Sequence, residues 1–165
     1  MTLGGLLQVL DLRTKRWMVG GTVSVLAGTG AGLVSLPAVL ASGRSDPLLL
    51  LPSLGLSLGG GYAVLFPGIS VNRNGPHIFR DWRRHALAGK VLWVLSLAIA
   101  AGGLVTCIVA GLANPLAPGI LVWLFMGLYL ASAGWASATM GAGNAATGEA
   151  LNAEADEARA TVPSR

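Results

Sequence analysis

His77, Asp81 and His85 are the residues of this chain best spaced to do chemistry together. They recur every four positions, so on a helix all three would share one face. An imidazole, a carboxylate and a second imidazole in that order could ligate a metal ion or shuttle a proton near neutral pH. Arg80, Arg83 and Arg84 occupy the same short stretch, and three guanidinium groups repel a divalent cation. The plainer reading is a pair of solvated histidines. The sequence therefore predicts no catalytic residue, no metal and no cofactor. Cys107 stands alone inside an apolar run; it has no disulfide partner and reads as a small packing residue.

The element that must carry His77, Asp81 and His85 is the long polar interval at residues 71–90, VNRNGPHIFRDWRRHALAGK. Asn72, Asn74, Gly75 and Pro76 form turns, and Pro76 can open a helix. Along that helix Ile78, Phe79, Trp82 and Ala86 fall on one side and the arginines on the other, as in a helix lying in the membrane interface. Arg73, Arg80, Arg83 and Arg84, with Phe79 and Trp82, are the residues expected to meet anionic lipid headgroups or an acidic partner. A plain topology anchor is the simpler alternative. Residues 1–12 place Leu3, Leu6, Leu7 and Leu10 at helical spacing and predict a second interfacial helix before the first span. Arg13, Lys15 and Arg16 follow that apolar part instead of preceding it, unlike a signal peptide.

Composition sets the solvent. Of 165 residues, 53% are hydrophobic and 11% charged, against roughly 25% charged in a soluble domain. So few charges cannot cover a water-exposed surface of this size. The net charge of +4 comes from basic residues flanking apolar runs, which marks topology and no nucleic-acid partner.

Four apolar spans are expected at about residues 17–40, 48–69, 88–112 and 119–141, each long enough for roughly 30 Å of hydrocarbon. Apart from Lys90 at the edge of the third span, they contain no Asp, Glu, Lys, Arg or His, which argues against a proton-coupled antiporter. A pore would have to work with Ser24, Ser35, Ser53, Ser57, Ser96 and Thr106. Small residues are plentiful, and three sets have packing spacings. Gly28 with Gly32, and Gly55 with Gly59, form G-x-x-x-G pairs; Gly127, Ala131, Gly134, Ala138 and Gly141 form a 4-3-4-3 seam. Such a seam fits a tight left-handed helix pair, whose partner could lie in this chain or in another subunit. The run Gly59 to Gly61 is expected at a close contact or a bend, and Pro67 to end or kink the second span.

Four crossings place both termini and the 71–90 loop on one side. That side then holds every basic residue except Arg44, so the positive-inside rule makes it cytoplasmic. Residues 149–165 turn acidic and form a partly disordered tail that could dock on the basic loop.

The expected fold is an all-α membrane protein: an antiparallel bundle of four transmembrane helices, N-in and C-in, with interfacial helices before spans one and three. Residues 1–148 make the membrane domain and 149–165 the tail. The first functional reading is a non-enzymatic accessory, assembly or interaction subunit of a complex in the bacterial plasma membrane, the host being inferred from an Arg-, Ala- and Gly-rich composition. It would contact anionic lipids and other membrane subunits, as a homo- or hetero-oligomer. The second is a small uncoupled permease or pore-forming homo-oligomer. The third is an enzyme working at headgroup level.

Overall fold

The computed structural model describes residues 8, 10–42, 47–72, 87–115 and 117–160. Among these the regular structure is helical: α1 spans Leu12–Ser42, α2 Pro47–Val71, α3 Leu87–Ala113 and α4 Ala117–Ala160. Each helix contains a stretch long and apolar enough to cross a membrane: Leu12–Ala38, Leu50–Val71, Leu87–Ala113 and Ala117–Ala142. The expected interfacial helices at 1–12 and 71–90 lie mostly outside the described residues. So do Arg44, Arg73, His77, Phe79, Arg80, Asp81, Trp82, Arg83, Arg84 and His85.

Local chemistry explains the helix limits. α1 starts five residues before Trp17 because Asp11 caps it: the Thr14 N–H donates to Asp11 Oδ2 at 3.1 Å, and the Lys15 N–H donates to the Asp11 carbonyl at 3.0 Å. A carboxylate accepting an orphan N–H at this position stabilises the first turn. Arg13, Lys15 and Arg16 thereby become part of the spanning helix. Leu10, just ahead of the cap, is buried with Met18, Val25 and Val64.

The Thr14 hydroxyl and then the Thr14 N–H hold the Asp11 carboxyl below its ordinary value. A depressed folded pKa means the cap is fully stabilising above the unfolded value, about 3.9, and is lost as pH falls through the folded one. The protection factor of the Thr14 amide in micelles, the intrinsic exchange rate at each pH divided by the observed one, should therefore fall on acidification. In Asp11→Asn, which caps comparably without titrating, it should stay flat; an equal acid response there would refute the cap.

α2 opens on Pro47, a first-turn position that needs no N–H, and it runs four residues past Pro67 to Val71. Of the two outcomes expected at Pro67, an end or a kink, the helix does not end there. Gly68 and Val71, the residues after it, pack against α4, and those contacts hold the turn that the proline weakens. α3 closes with the Asn114 N–H on the Ala110 carbonyl, 2.8 Å, and the Ala117 N–H on the Asn114 carbonyl, 3.2 Å, turns the chain into α4.

α4 has 44 residues, about 66 Å at 1.5 Å per residue, roughly twice the hydrocarbon thickness. It passes unbroken through the composition change at 148–149, because Ala, Leu, Glu and Arg beyond that point are good helix formers. Within its span α4 is half buried, against 17% for α3. It is the central post: α2 and α3 pack on it extensively, α1 more lightly, and α1 packs mainly on α2.

Residue pairing gives the register. Between α1 and α2, Gly21 meets Gly60 and Val64, while Gly28 meets Ser53 and Ser57, so rising numbers meet falling ones. α3 and α4 do the same: Gly89 meets Met140 and Gly103 meets Phe125. Between α2 and α4 the numbers rise together, Ser57 on Gly127, Val64 on Gly134 and Val71 on Gly141.

Candidate interaction site

The α2–α4 contact repeats every seven residues at a constant offset, the signature of a helix pair packed in parallel register. Each step brings backbone against backbone. A methyl group on Gly127 would stand 2.5 Å from the Ser57 carbonyl oxygen, and one on Gly134 would stand 2.7 Å from the Val64 carbonyl and 2.8 Å from the Leu65 Cα. On Gly141 it would meet the Val71 carbonyl and the Asn72 Cα, both at 2.7 Å. From the other side, a methyl on Gly68 would run into the Gly134 carbonyl oxygen. Ala131 and Ala138, the intervening seam positions, are buried as well. The partner that the sequence left open for this seam is α2 of the same chain.

The G-x-x-x-G pairs divide. Gly28 lies against α2, where an added methyl would meet the Ser53 carbonyl and the Ser57 N at 2.5 Å each, and Gly32 lies against the Leu124 side chain of α4. Gly55 and Gly59, expected at a helix contact, are exposed with nothing within 4 Å of an added methyl. The contact falls instead on their neighbours. Gly60 meets the Gly21 carbonyl of α1, and Gly61 meets Gly127 of α4. Two adjacent glycines thus let α2 sit close to a helix on each side.

Gly60 and Gly61 lie in the run expected at a close contact or a bend, and both make one; Gly21, Gly68, Gly89 and Gly103 are contact residues that sequence reasoning passed over. A seven-residue interval links Gly21 to Gly28, Gly61 to Gly68, and Gly89 through Ser96 to Gly103. Reading period seven on every helix would have found them. The four-residue motif alone selected Gly55 and Gly59.

Hydroxyls in the seams are engaged. Trp135 Nε1 donates to Thr22 Oγ1 at 2.9 Å, and Thr22 donates on to the Met18 carbonyl at 2.7 Å, tying α4 to α1. Ser57 Oγ lies 3.4 Å from both Thr29 Oγ1 and the Leu124 carbonyl, where α1, α2 and α4 meet. Ser53 and Ser96 each bond a carbonyl of their own helix. Asn72 Oδ1 is buried without a partner among the described residues. It borders a cavity of about 350 Å³ that also touches Trp93, Tyr129 and Ser137.

Among the described residues no three His, Cys, Asp or Glu side chains converge, while His77, Asp81 and His85 lie outside them. The arrangement described is one of close helix contacts and helix-tying hydroxyls. It defines an all-helical multi-pass membrane protein with four helices able to cross a bilayer. Comparison with family models, with curated proteins and with solved structures found no match.

Proposed function

We propose that this chain is a non-enzymatic accessory, assembly or interaction subunit of a complex in the bacterial plasma membrane. In this reading its helices form an antiparallel bundle, with both termini and the 71–90 loop in the cytoplasm. Arg73, Arg80, Arg83 and Arg84, with Phe79 and Trp82, then contact anionic headgroups or a partner there.

The supporting observation is α3. Its buried residues are Gly89, Ser96, Gly103 and Cys107, one narrow seam against α4. Most of its circumference, including Val91, Val94, Leu97, Leu104, Val105 and Ile108, is exposed and apolar. Ala98 and Gly102 add a small-xxx-small pair on exposed backbone, a spacing that lets another helix approach closely. Such a surface suits a second membrane subunit. The pore reading is weaker, because Ser53, Ser57 and Ser96 are buried and bonded to carbonyls.

Purification in mild detergent is the test. A stoichiometric membrane partner should accompany the chain and be lost in Gly102→Leu, a position with open space around it. A lone monomer refutes the proposal, and solute flux through reconstituted vesicles would favour the pore. For topology, a reporter fused after Arg165 should read cytoplasmic. Activity on the far side would overturn the placement of the termini.

A further inference from the structure

Beside the α1–α2 contact, an open groove of about 540 Å³ runs from Arg13 and Ser70 down to Gly59. Its one charged side chain and its aliphatic hydroxyls are at one end: Arg13 and Thr14 in the first turns of α1, Ser70 in the last turn of α2. A second hollow, bordered by Arg13, Arg16 and Trp17, adjoins that end. The Asp11 carboxylate there is engaged by the Thr14 N–H, and Arg13, Lys15 and Arg16 outnumber it.

Below this mouth the walls are aromatic. The Tyr62 and Phe66 rings stack with centroids 5.7 Å apart and planes at 21°, yet Phe66 is 66% and Trp17 55% exposed. The inner end stays open because Gly59 has no side chain and nothing lies within 4 Å of where one would start. From Ser70 to Gly59 the helix rises about 16 Å, which matches one leaflet of hydrocarbon, about 15 Å.

We propose that this groove binds one diacyl phospholipid with an anionic headgroup. The phosphate sits at the Arg13 guanidinium with the Ser70 hydroxyl beside it, and one acyl chain lies along Phe66 and Tyr62 toward Gly59. A charged mouth at interface level above an apolar channel one leaflet deep repeats the build of the lipid itself. A partner helix filling the same groove would have to cover Arg13 with no phosphate to neutralise it. The inference does not depend on the subunit reading.

The experiment uses the full chain in vesicles of phosphatidylcholine containing a tenth phosphatidylglycerol. After extraction in mild detergent, retained lipid is counted by native mass spectrometry. One phosphatidylglycerol per chain, enriched over the bulk ratio, is expected. Arg13→Gln should reduce the enrichment about fivefold, the worth of one interfacial cation. Gly59→Phe should abolish retention of both lipids while leaving the thermal midpoint unchanged. Retention in bulk proportion, or indifference to both variants, overturns the proposal. So does a Gly59→Phe variant that changes oligomer mass and leaves bound lipid intact, which would assign the groove to a protein partner.

Discussion

Gly134→Ala is expected to destabilise the bundle by about 2–3 kcal/mol, the upper part of the range for overpacking a tight contact. The new methyl would meet the Val64 carbonyl oxygen at 2.7 Å and the Val64 carbonyl carbon and Leu65 Cα at 2.8 Å. All three are backbone atoms, so no rotamer change relieves the clash and α2 must move as a rod. Alanine's better helix propensity, at most about 1 kcal/mol over glycine, offsets only part of this. The matched control is Gly55→Ala, on the same helix pair but with nothing within 4 Å; it should be neutral or stabilising by up to about 1 kcal/mol. Gly68→Ala should resemble Gly134→Ala, since its methyl meets the Gly134 carbonyl. Combining the two should give less than the sum, because both open one contact. Unfolding in mixed micelles measures all four. Equal stability of Gly134→Ala and Gly55→Ala would mean that α2 and α4 are not in contact at Gly134.

That comparison also shows what could be read from the chain alone. The spans were legible because lipid imposes length and apolarity, and no soluble alternative matches runs such as residues 91–113. The seam on α4 was legible because Gly127, Ala131, Gly134, Ala138 and Gly141 keep one period. Its partner was not, because a seam records that a neighbour is close and carries no label for which one. Gly55 and Gly59 make no helix contact among the described residues of this chain, because G-x-x-x-G sets a distance along one helix face without saying which face is turned inward. Gly60 and Gly61, one and two positions further on, have the contacts. The start of α1 was missed for another reason. Hydropathy marks where lipid begins, whereas a helix begins at its cap, here Asp11.

A second large effect is expected at Gly32 and Leu124, and it separates packing from water exclusion as the source of stability. Leu124 is 2% exposed and packs with Ile120, Leu50 and Leu54. A methyl on Gly32 would stand 2.7 Å from its Cδ2 and 2.8 Å from its Cδ1. In a water-soluble core Leu→Ala costs about 2–5 kcal/mol, transfer and cavity terms together. In a bilayer the transfer term falls away, since lipid tails are as apolar as leucine, and lost contacts remain. Leu124→Ala should therefore cost about 1–2 kcal/mol, below the soluble range. Gly32→Ala alone should cost a similar amount, about 1–2 kcal/mol, by pressing on a side chain that its neighbours hold in place. In the double variant the new methyl enters the space that the leucine carbons vacate, so the pair should be more stable than the sum by about 1–2 kcal/mol. Additive losses in unfolding from micelles would deny that Gly32 faces Leu124. A Leu124→Ala loss near 5 kcal/mol would mean that this contact excludes water, and would remove Leu124 from the lipid-spanning part of α4.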